Sequence, residues 1–256
     1  MPHLVPACIK LGAILAPEEG SPKNFTVHGE KDLRFLPAYS VAEASRYLLI
    51  PRATLSSWVA GRPYPTQSGR RLFRPVVPLP DRHRRELSFV NLVEAHVLGA
   101  IRGEHHIPLD KIRIAIDYLR NQFGSAHPLA DHQFETNGID LFVQKYGQLI
   151  NITRAGQTAM RELLQCFLQR VEYQSGVAVK LYPFTQRPAP EAPRSVVIDP
   201  RLSFGRPVLS GTGIATAIIA ERYKAGESVA ALAGDYSRDR LEIEEAIRCE
   251  LQLEAA

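Results

Sequence analysis

The stretch YSVAEASRYLLIPRATLSSWVAG, residues 39–61, predicts two short helices with almost no chain between them. Ser40 and Glu43 form the S-x-x-E pattern of a capping box, in which each residue satisfies a backbone amide of the other at a helix start. Pro51 suits the first turn of a second helix, and Gly61 suits its end. Because so few residues link the two helices, they must cross steeply, as in a helix-turn-helix.

The same stretch gives the second helix an inner and an outer face. Leu55 and Trp58 lie three residues apart and are predicted to fill the core between the helices, which the small Ser45 allows to approach closely. The outer face carries short hydroxyls beside an arginine, a combination that suits phosphates and base edges in a DNA major groove. The DNA contacts expected from this helix are Arg52, Thr54, Ser56 and Ser57.

Arginines before and after a predicted turn follow the second helix. Thr66 to Gly69 are turn residues. Their arginine-rich flanks fit a β-hairpin wing that lies along a DNA backbone, where guanidinium groups pair with phosphates. The DNA contacts expected from this wing are Arg62, Arg70, Arg71 and Arg74.

The charge of the chain is unevenly distributed. Between Lys31 and Arg85, eleven Lys or Arg residues oppose three acids, a local net charge of +8, whereas the whole chain carries +4. A basic segment on an otherwise acidic chain is typical of a nucleic-acid-binding module. A packing pair of helices with a solvated arginine loop is the alternative that the residues leave open.

Composition divides the 256 residues into five segments of a mainly α protein. No apolar run approaches the roughly 18 residues that cross a bilayer, so we expect no membrane partner. Three scattered cysteines, Cys8, Cys166 and Cys249, predict free thiols in the reducing cytosol. The predicted segments are 1–37, an N-terminal arm; 38–85, a winged helix-turn-helix; 86–182, a helical dimerisation region with a β-hairpin; 183–195, a Pro-rich, semi-rigid linker; and 196–256, a trihelical, helix-turn-helix-like unit.

The middle segment is predicted to hold three helices and one hairpin. Ser88 suits the N-cap of the first helix, and Gly124 suits the end of the second. Asn137-Gly138 stands between alternating apolar and polar residues, which predicts a tight hairpin. The third helix has a richer apolar face than a lone surface helix needs, so we expect the middle segment to be a packing or homodimerisation platform. That face consists of Met160, Leu163, Leu164, Phe167, Leu168 and Val171.

The C-terminal segment is predicted to be an extended arm and three short helices, at about 216–225, 228–236 and 239–253. Acidic residues are frequent on these helices, which argues against a second DNA contact and favours a protein partner. The residues expected in the seam between the helices are Leu232, Tyr236, Leu241, Ile243, Ile247 and Leu251.

Two parts of the chain resemble known families. Residues 39–79 resemble the MerR-like winged helix-turn-helix in the run Tyr-Ser-Val, a small residue, the turn and Thr-Leu-x-x-Trp, with Leu49 where that family usually has glycine. The C-terminal segment resembles a small bacterial domain family formerly of unknown function, although Gly213 replaces its usual arginine. The residues that carry the second resemblance are Gly205, Pro207, Gly211, Thr212, Ile214, Gly226, Ser228 and Tyr236.

The combination of these parts, over most of residues 38–256, resembles antitoxins of the VapBC type. That resemblance implies two functions, namely sequestering a toxin with a PIN-like ribonuclease fold and binding double-stranded DNA at a shared promoter. PIN-like sites hold metal with clustered carboxylates, so an inserted arginine could neutralise them. The candidate toxin-binding residues, which the sequence does not rank, are Arg201, Arg206, Arg238 and Arg240.

Catalytic and cofactor patterns are weak in this sequence, which predicts no enzyme, metal or cofactor. The run GRPVLSGTG lacks the lysine and the following helix of a phosphate-binding loop. A histidine cluster lacks helical i,i+4 pairing, so we expect polar loop residues rather than a metal site. The alternative function is a stand-alone MerR-like regulator whose middle segment senses a small molecule. The cluster consists of His105, His106, His127, Asp131 and His132.

Overall fold

The computed structural model describes residues 32–66, 69–81, 83–103, 109–150 and 152–251. Within these ranges the chain is mainly helical, as predicted, with short antiparallel strand pairs. The α-helices are α1 (Val41–Leu48), α2 (Arg52–Ala60), α3 (Phe89–Gly103), α4 (Leu109–Phe123), α5 (Ile139–Ile150), α6 (Arg154–Leu168), α7 (Thr216–Lys224), α8 (Val229–Tyr236) and α9 (Arg240–Leu251). The strands are β1 (Tyr39–Ser40), β2 (Arg62–Thr66), β3 (Gly69–Phe73), β4 (Glu86–Leu87), β5 (Val171–Gln174), β6 (Val177–Leu181), β7 (Val196–Val197) and β8 (Val208–Leu209). They pair as β1 with β4, β2 with β3, β5 with β6 and β7 with β8.

Helix α3 lies at the centre of the main core and is buried on nearly every side. Two of its polar side chains are buried with partners: Glu94 pairs with His127 Nδ1 at 2.9 Å, and His96 Nε2 contacts the Phe167 carbonyl at 3.1 Å. Burial lowers the pKa of His96 to about 4, which keeps it neutral. Burial opposes protonation of His127 as well, but the Glu94 carboxylate outweighs it and raises the pKa of His127. These contacts allow polar groups inside an apolar core.

The prediction of a hairpin at Asn137-Gly138 is wrong. Residues Phe134–Gly138 form one π-helical turn that leads directly into α5, a helix that the sequence did not predict. Gly138 is present because of close packing, since a Cβ there would lie 2.7 Å from the Phe134 ring and 2.9 Å from the Phe123 ring. The glycine that looks like a turn signal therefore makes room for two aromatic rings.

The hairpin of the middle segment lies at β5 and β6 instead. Val171, predicted on the third helix, begins strand β5, because α6 ends at Leu168. Ser175 and Gly176 connect the two strands with φ values of 52° and 81°, the paired left-handed conformations of a tight turn. The dipeptide Ser-Gly is thus the turn signal that the sequence analysis overlooked.

The Pro-rich segment 183–195, predicted to be a semi-rigid linker, is fastened to the core by one arginine. The guanidinium of Arg170 donates hydrogen bonds of 2.8–3.2 Å to the carbonyls of Tyr182, Pro183, Ala192 and Pro193. Burial, together with the cation of Arg194, lowers the pKa of Arg170 to about 10, so it remains charged at neutral pH. The start of the segment is thus buried and its two ends are held by Arg170, while much of the segment between them is exposed.

The three C-terminal helices confirm the trihelical prediction and enclose a small core of their own. Leu232 and Ile243 are fully buried in it. Leu241, predicted in the same seam, is 70% exposed, so that assignment is wrong. It stands on the solvent side of the first turn of α9, two residues before the buried Ile243.

Several contacts join the region around α1 to the C-terminal unit. Tyr39 Oη donates to the Gly205 carbonyl at 3.0 Å, Arg206 forms an ion pair with Glu43, and α1 packs against α9. Cys249 on α9 is buried in the main core. The C-terminal unit is consequently packed directly against helix α1.

Gly138 provides a test of the corrected fold. Gly138→Ala is expected to destabilise the protein by about 1–3 kcal/mol, because the added methyl overpacks the two aromatic rings. Asn137→Ala, at an exposed helical position, is the matched control and is expected to change stability by less than about 0.5 kcal/mol. Urea unfolding measures both. A large loss for Asn137→Ala as well would indicate a left-handed turn at this site and contradict the helix.

Candidate functional site

The junction of α1 and α2 has the capping box expected from the sequence. Ser40 Oγ accepts from the Glu43 backbone amide at 3.2 Å, and Glu43 Oε2 accepts from the Ser40 amide at 2.9 Å. Hydrogen bonds from Ser40, and the nearby Arg206, lower the pKa of Glu43 although its partial burial opposes this. The carboxylate is therefore held ionised at the start of α1, where the helix dipole favours a negative charge.

The turn between the helices keeps its left-handed residue without a glycine. Leu49 has φ 56° and ψ 34°, and its amide donates to the Arg46 carbonyl at 3.3 Å. Ser45 Oγ donates to the Ile50 carbonyl at 2.5 Å, and the Ile50 amide donates back to the Ser45 carbonyl at 3.1 Å. These bonds fix the turn, which Leu49 enters at a cost of about 1–2 kcal/mol.

Helix α2 is buried on one face and open on the other. Leu55 and Trp58 are buried, as predicted. Arg52 and Ser56 are exposed, whereas Thr54 and Ser57 are half-buried. The Ser57 hydroxyl donates to the Thr54 carbonyl at 2.7 Å. Among the four expected DNA contacts of α2, Arg52 and Ser56 are therefore the most accessible.

The wing follows α2 as a two-stranded hairpin. Arg62 begins β2 and pairs with Phe73, while Arg70 and Arg71 lie in β3. Arg74 is exposed directly after β3. The returning chain is tied to α2, because the amides of residues 76 and 77 donate to the Trp58 carbonyl at 2.8 and 3.2 Å. The hairpin is thus anchored at the C-terminal end of α2.

Two arginines that the sequence analysis missed lie beside α2. Arg102 at the end of α3 and Arg113 on α4 line a concave pocket of about 670 Å³ together with Ser56 and Ser57 of α2. Burial lowers the pKa of Arg113, although Asp110 opposes this. The sequence gives no sign of this, because both arginines lie beyond the basic segment that ends at Arg85, on helices predicted to serve packing. Only the tertiary structure brings them beside α2.

The four arginines proposed to contact a toxin have different environments. Arg201 binds Asp199 at 2.9–3.0 Å, and Arg206 binds Glu43. Arg238 donates to the Ser210 carbonyl at 3.2 Å and to Glu242 at 2.6 Å. Arg240 is exposed at the start of α9, and the described residues offer it no hydrogen bond or ion pair. The structure does not bring the four arginines into one cluster of shared partners.

Many acidic residues of the C-terminal unit are already paired. Arg222 binds Glu227 and Asp235, and Arg248 binds Glu244 and Glu245. Glu250 pairs across to Arg46 of α1 at 3.1 Å. The acidic residues seen in the sequence are therefore in part engaged by arginines within the structure.

The histidine cluster shows no metal geometry where it is described. The His127 ring contacts the Glu94 carboxylate, and the His132 ring lies 3.6 Å from the Glu135 carboxylate. Within the described ranges, no group of three His, Cys, Asp or Glu side chains could hold a metal ion. His105 and His106 lie outside the described residues. Of the helices that the structure describes, none is long and apolar enough to cross a membrane.

Two regions of the chain match known protein families. Residues 37–116 match the family described as "Putative DNA-binding HTH domain". Residues 196–248 match the family described as "Protein of unknown function (DUF433)". The first match extends through α3 and into α4, so the family includes the helices that carry Arg102 and Arg113.

Individual proteins of Mycobacterium tuberculosis are similar over most of the chain. The protein named "Putative antitoxin VapB45" is 33% identical over 226 residues, which cover 81% of this chain and 91% of the relative. "Uncharacterized protein Rv2308" is 25% identical over 219 residues, with 82% and 88% covered. The crystal structure of Rv2018 superposes with a TM-score of 0.60 at 26% identity, and covers 84% of this chain and 100% of that one.

These similarities extend across both units and the segment between them, rather than over one motif. With a helix-turn-helix domain at its N-terminus and a DUF433 domain at its C-terminus, this chain belongs to the family of the M. tuberculosis protein named "Putative antitoxin VapB45".

Proposed function

We propose that this protein is an antitoxin of a type II toxin–antitoxin system. In this proposal α2 and the wing bind operator DNA to repress transcription, and the C-terminal unit neutralises a PIN-like ribonuclease in the cytosol. The name of the M. tuberculosis relative and the match to a helix-turn-helix family support this assignment. The observation that carries the DNA part is the open face of α2, with Arg52 and Ser56 exposed beside further arginines.

DNA binding in this proposal follows the MerR-like arrangement. The N-terminal part of α2 enters the major groove, where Arg52 and Ser56 reach base edges. The wing arginines and the concave surface with Arg102 and Arg113 contact phosphates, which position the helix without reading sequence. One helix in one groove gives little specificity, so the protein acts as a homodimer on two half-sites, with the middle segment as the dimer interface.

Salt dependence separates the two kinds of contact. About six phosphates neutralised per bound unit predict a slope of log K against log salt near −5. Arg70→Ala combined with Arg71→Ala, and separately Arg102→Ala combined with Arg113→Ala, should each flatten the slope by about 2 units. Arg52→Ala should instead reduce the preference for the DNA upstream of this gene over scrambled DNA. Fluorescence anisotropy at several salt concentrations measures all of these.

Arg154 serves as the control for charge alone. It is exposed at the start of α6, outside the helix pair and the wing in the sequence. Arg154→Ala should leave both the slope and the sequence preference unchanged. Equal flattening by Arg154→Ala would show that the contact is nonspecific, and an unchanged slope in both double variants would place the DNA elsewhere.

Toxin neutralisation in this proposal depends on an arginine that enters the carboxylate cluster of the nuclease. Among the four candidates, Arg240 is the most suitable, because it is exposed without an acidic partner among the described residues. Arg201, Arg206 and Arg238 would first have to leave Asp199, Glu43 and Glu242. Breaking such a pair lowers the free energy available for binding the partner.

Nuclease assays rank these arginines. Arg240→Ala should restore most of the RNA cleavage by the nuclease encoded beside this gene, whereas Arg201→Ala should restore less and Arg154→Ala none. Each variant is added at increasing excess over the nuclease, and cleavage of a fluorescent RNA is followed. Full inhibition by every variant would remove the arginine mechanism while leaving the complex itself intact.

A second candidate function is a ligand-sensing regulator, because a cavity adjoins the helix-turn-helix. Its volume is about 350 Å³, and its walls are mostly apolar. Leu49 and Ile50 of the turn line it, together with the neutral His96 of α3 and Leu163 of α6. A small apolar molecule with one hydrogen-bonding group fits this chemistry.

A cavity-filling variant tests the second candidate. In thermal-shift measurements, a small aromatic alcohol such as phenol should raise the melting temperature of the wild-type protein but not that of Leu163→Trp. The same compound should change the affinity for DNA. No shift with a panel of such compounds, together with inhibition of the neighbouring nuclease, would favour the antitoxin.

A further inference from the structure

Phe204 is the most exposed large apolar side chain in the described part of the chain. It is 97% exposed, followed by Leu241 at 70%. It lies between the short strands β7 and β8, in the extended arm that precedes the three helices. A fully exposed phenylalanine contributes nothing to the core, and it is available to a partner protein.

The backbone at this position is strained. Ser203, Phe204 and Gly205 have φ values of 45°, 56° and 76°, three consecutive left-handed residues of which only the last is a glycine. Side chains other than glycine, asparagine and aspartate rarely adopt this conformation. Such strain persists only where the surrounding structure fixes it, and it concentrates at functional sites.

Hydrogen bonds hold the turn in this strained form. The Gly205 amide donates to the Leu202 carbonyl at 2.8 Å, and the Arg206 amide donates to the Ser203 carbonyl at 3.0 Å. Tyr39 Oη donates to the Gly205 carbonyl at 3.0 Å, and a Cβ at position 205 would lie 2.5 Å from that hydroxyl. The turn is therefore braced against β1, and Phe204 is presented on a rigid support.

An ion-paired arginine lies on each side of Phe204 in the sequence, Arg201 three residues before it and Arg206 two residues after it. Arg201 is 58% exposed and its partner Asp199 is 4% exposed; Arg206 is 44% exposed and Glu43 is 28% exposed. In each ion pair the guanidinium faces solvent more than the carboxylate does. A partner that approaches Phe204 therefore meets cations first, so a complementary surface is acidic around an apolar centre.

We propose that Phe204 is the anchor residue of the partner-binding surface, inserting its ring into an apolar pocket rimmed by carboxylates on the partner protein. This inference rests on the proposed function, in which that partner is the ribonuclease toxin. A rigid aromatic ring fills a pocket with little loss of conformational entropy, and such residues dominate the binding energy of interfaces. The strained turn is retained because it presents this ring.

Replacement of Phe204 separates binding from folding. Phe204→Gly removes the ring and relieves the left-handed strain, so the melting temperature of the free full-length protein should be unchanged or higher. Its affinity for the co-expressed neighbouring nuclease, measured by isothermal titration or by surface plasmon resonance, should fall about tenfold or more. Phe204→Leu keeps an apolar side chain and should lose less. Ile114→Ala, at another exposed apolar position on α4, is the control and should bind normally.

The experiment distinguishes failure of the anchor role of Phe204 from failure of the proposed function. No binding of the nuclease to the wild-type protein would refute the proposed function, and the anchor role would fall with it. Normal binding by Phe204→Gly, when the wild type binds, would refute the anchor alone. A change in self-association of Phe204→Gly in sedimentation, with normal nuclease binding, would also refute it, because the pocket would then belong to a second copy. Phe204→Asn, which tolerates left-handed backbone, repeats the test if the glycine variant misfolds.

Discussion

The buried guanidinium of Arg170 holds together the parts of the chain on which the candidate sites depend. Proline-rich backbone has few amides, so its carbonyls cannot all be satisfied by regular secondary structure. Arg170, two residues after α6, supplies donors to three carbonyls of the Pro-rich segment and to that of Tyr182, and its guanidinium also lies 4.6 Å from the centre of the Phe184 ring. This contact orders the path from the main core to β7, and so fixes where the C-terminal unit meets α1.

The elements that the sequence predicts well are those defined by local chemistry. The capping box of Ser40 and Glu43, the buried pair Leu55 and Trp58, and the three C-terminal helices depend on residues a few positions apart. The misassigned elements have two origins: the Ser175-Gly176 turn signal is local and was overlooked, whereas the role of Gly138 depends on packing against aromatic rings. In the sequence, Gly138 is one residue of an Asn-Gly turn signal. In the structure, it is the residue that leaves room for the rings of Phe123 and Phe134.

The candidate sites follow the same division. Arg52 and Ser56 can be placed on the outer face of α2 from helical spacing, because the inner face is marked by large apolar residues. Arg102 and Arg113 join that surface only through the packing of α3 and α4 beside α2. The exposure of Phe204 is equally hidden, since a phenylalanine in a sequence is ordinarily assigned to a core. Its role depends on backbone angles that no residue pattern reveals.

Two contacts place the Phe204 turn against the residues that start α1. They are the hydrogen bond from Tyr39 to the Gly205 carbonyl and the ion pair of Glu43 with Arg206. Glu43 therefore has two roles: it caps the start of α1, and it pairs with Arg206 of the arm. In the proposed function, a partner that moves Arg206 away from Glu43 would change the free energy of the helix pair. Thermodynamic linkage makes this effect reciprocal, so the occupancy of one surface sets the affinity of the other by the same factor. In the proposed function, the Glu43 carboxylate thus couples binding at the arm to binding at α2.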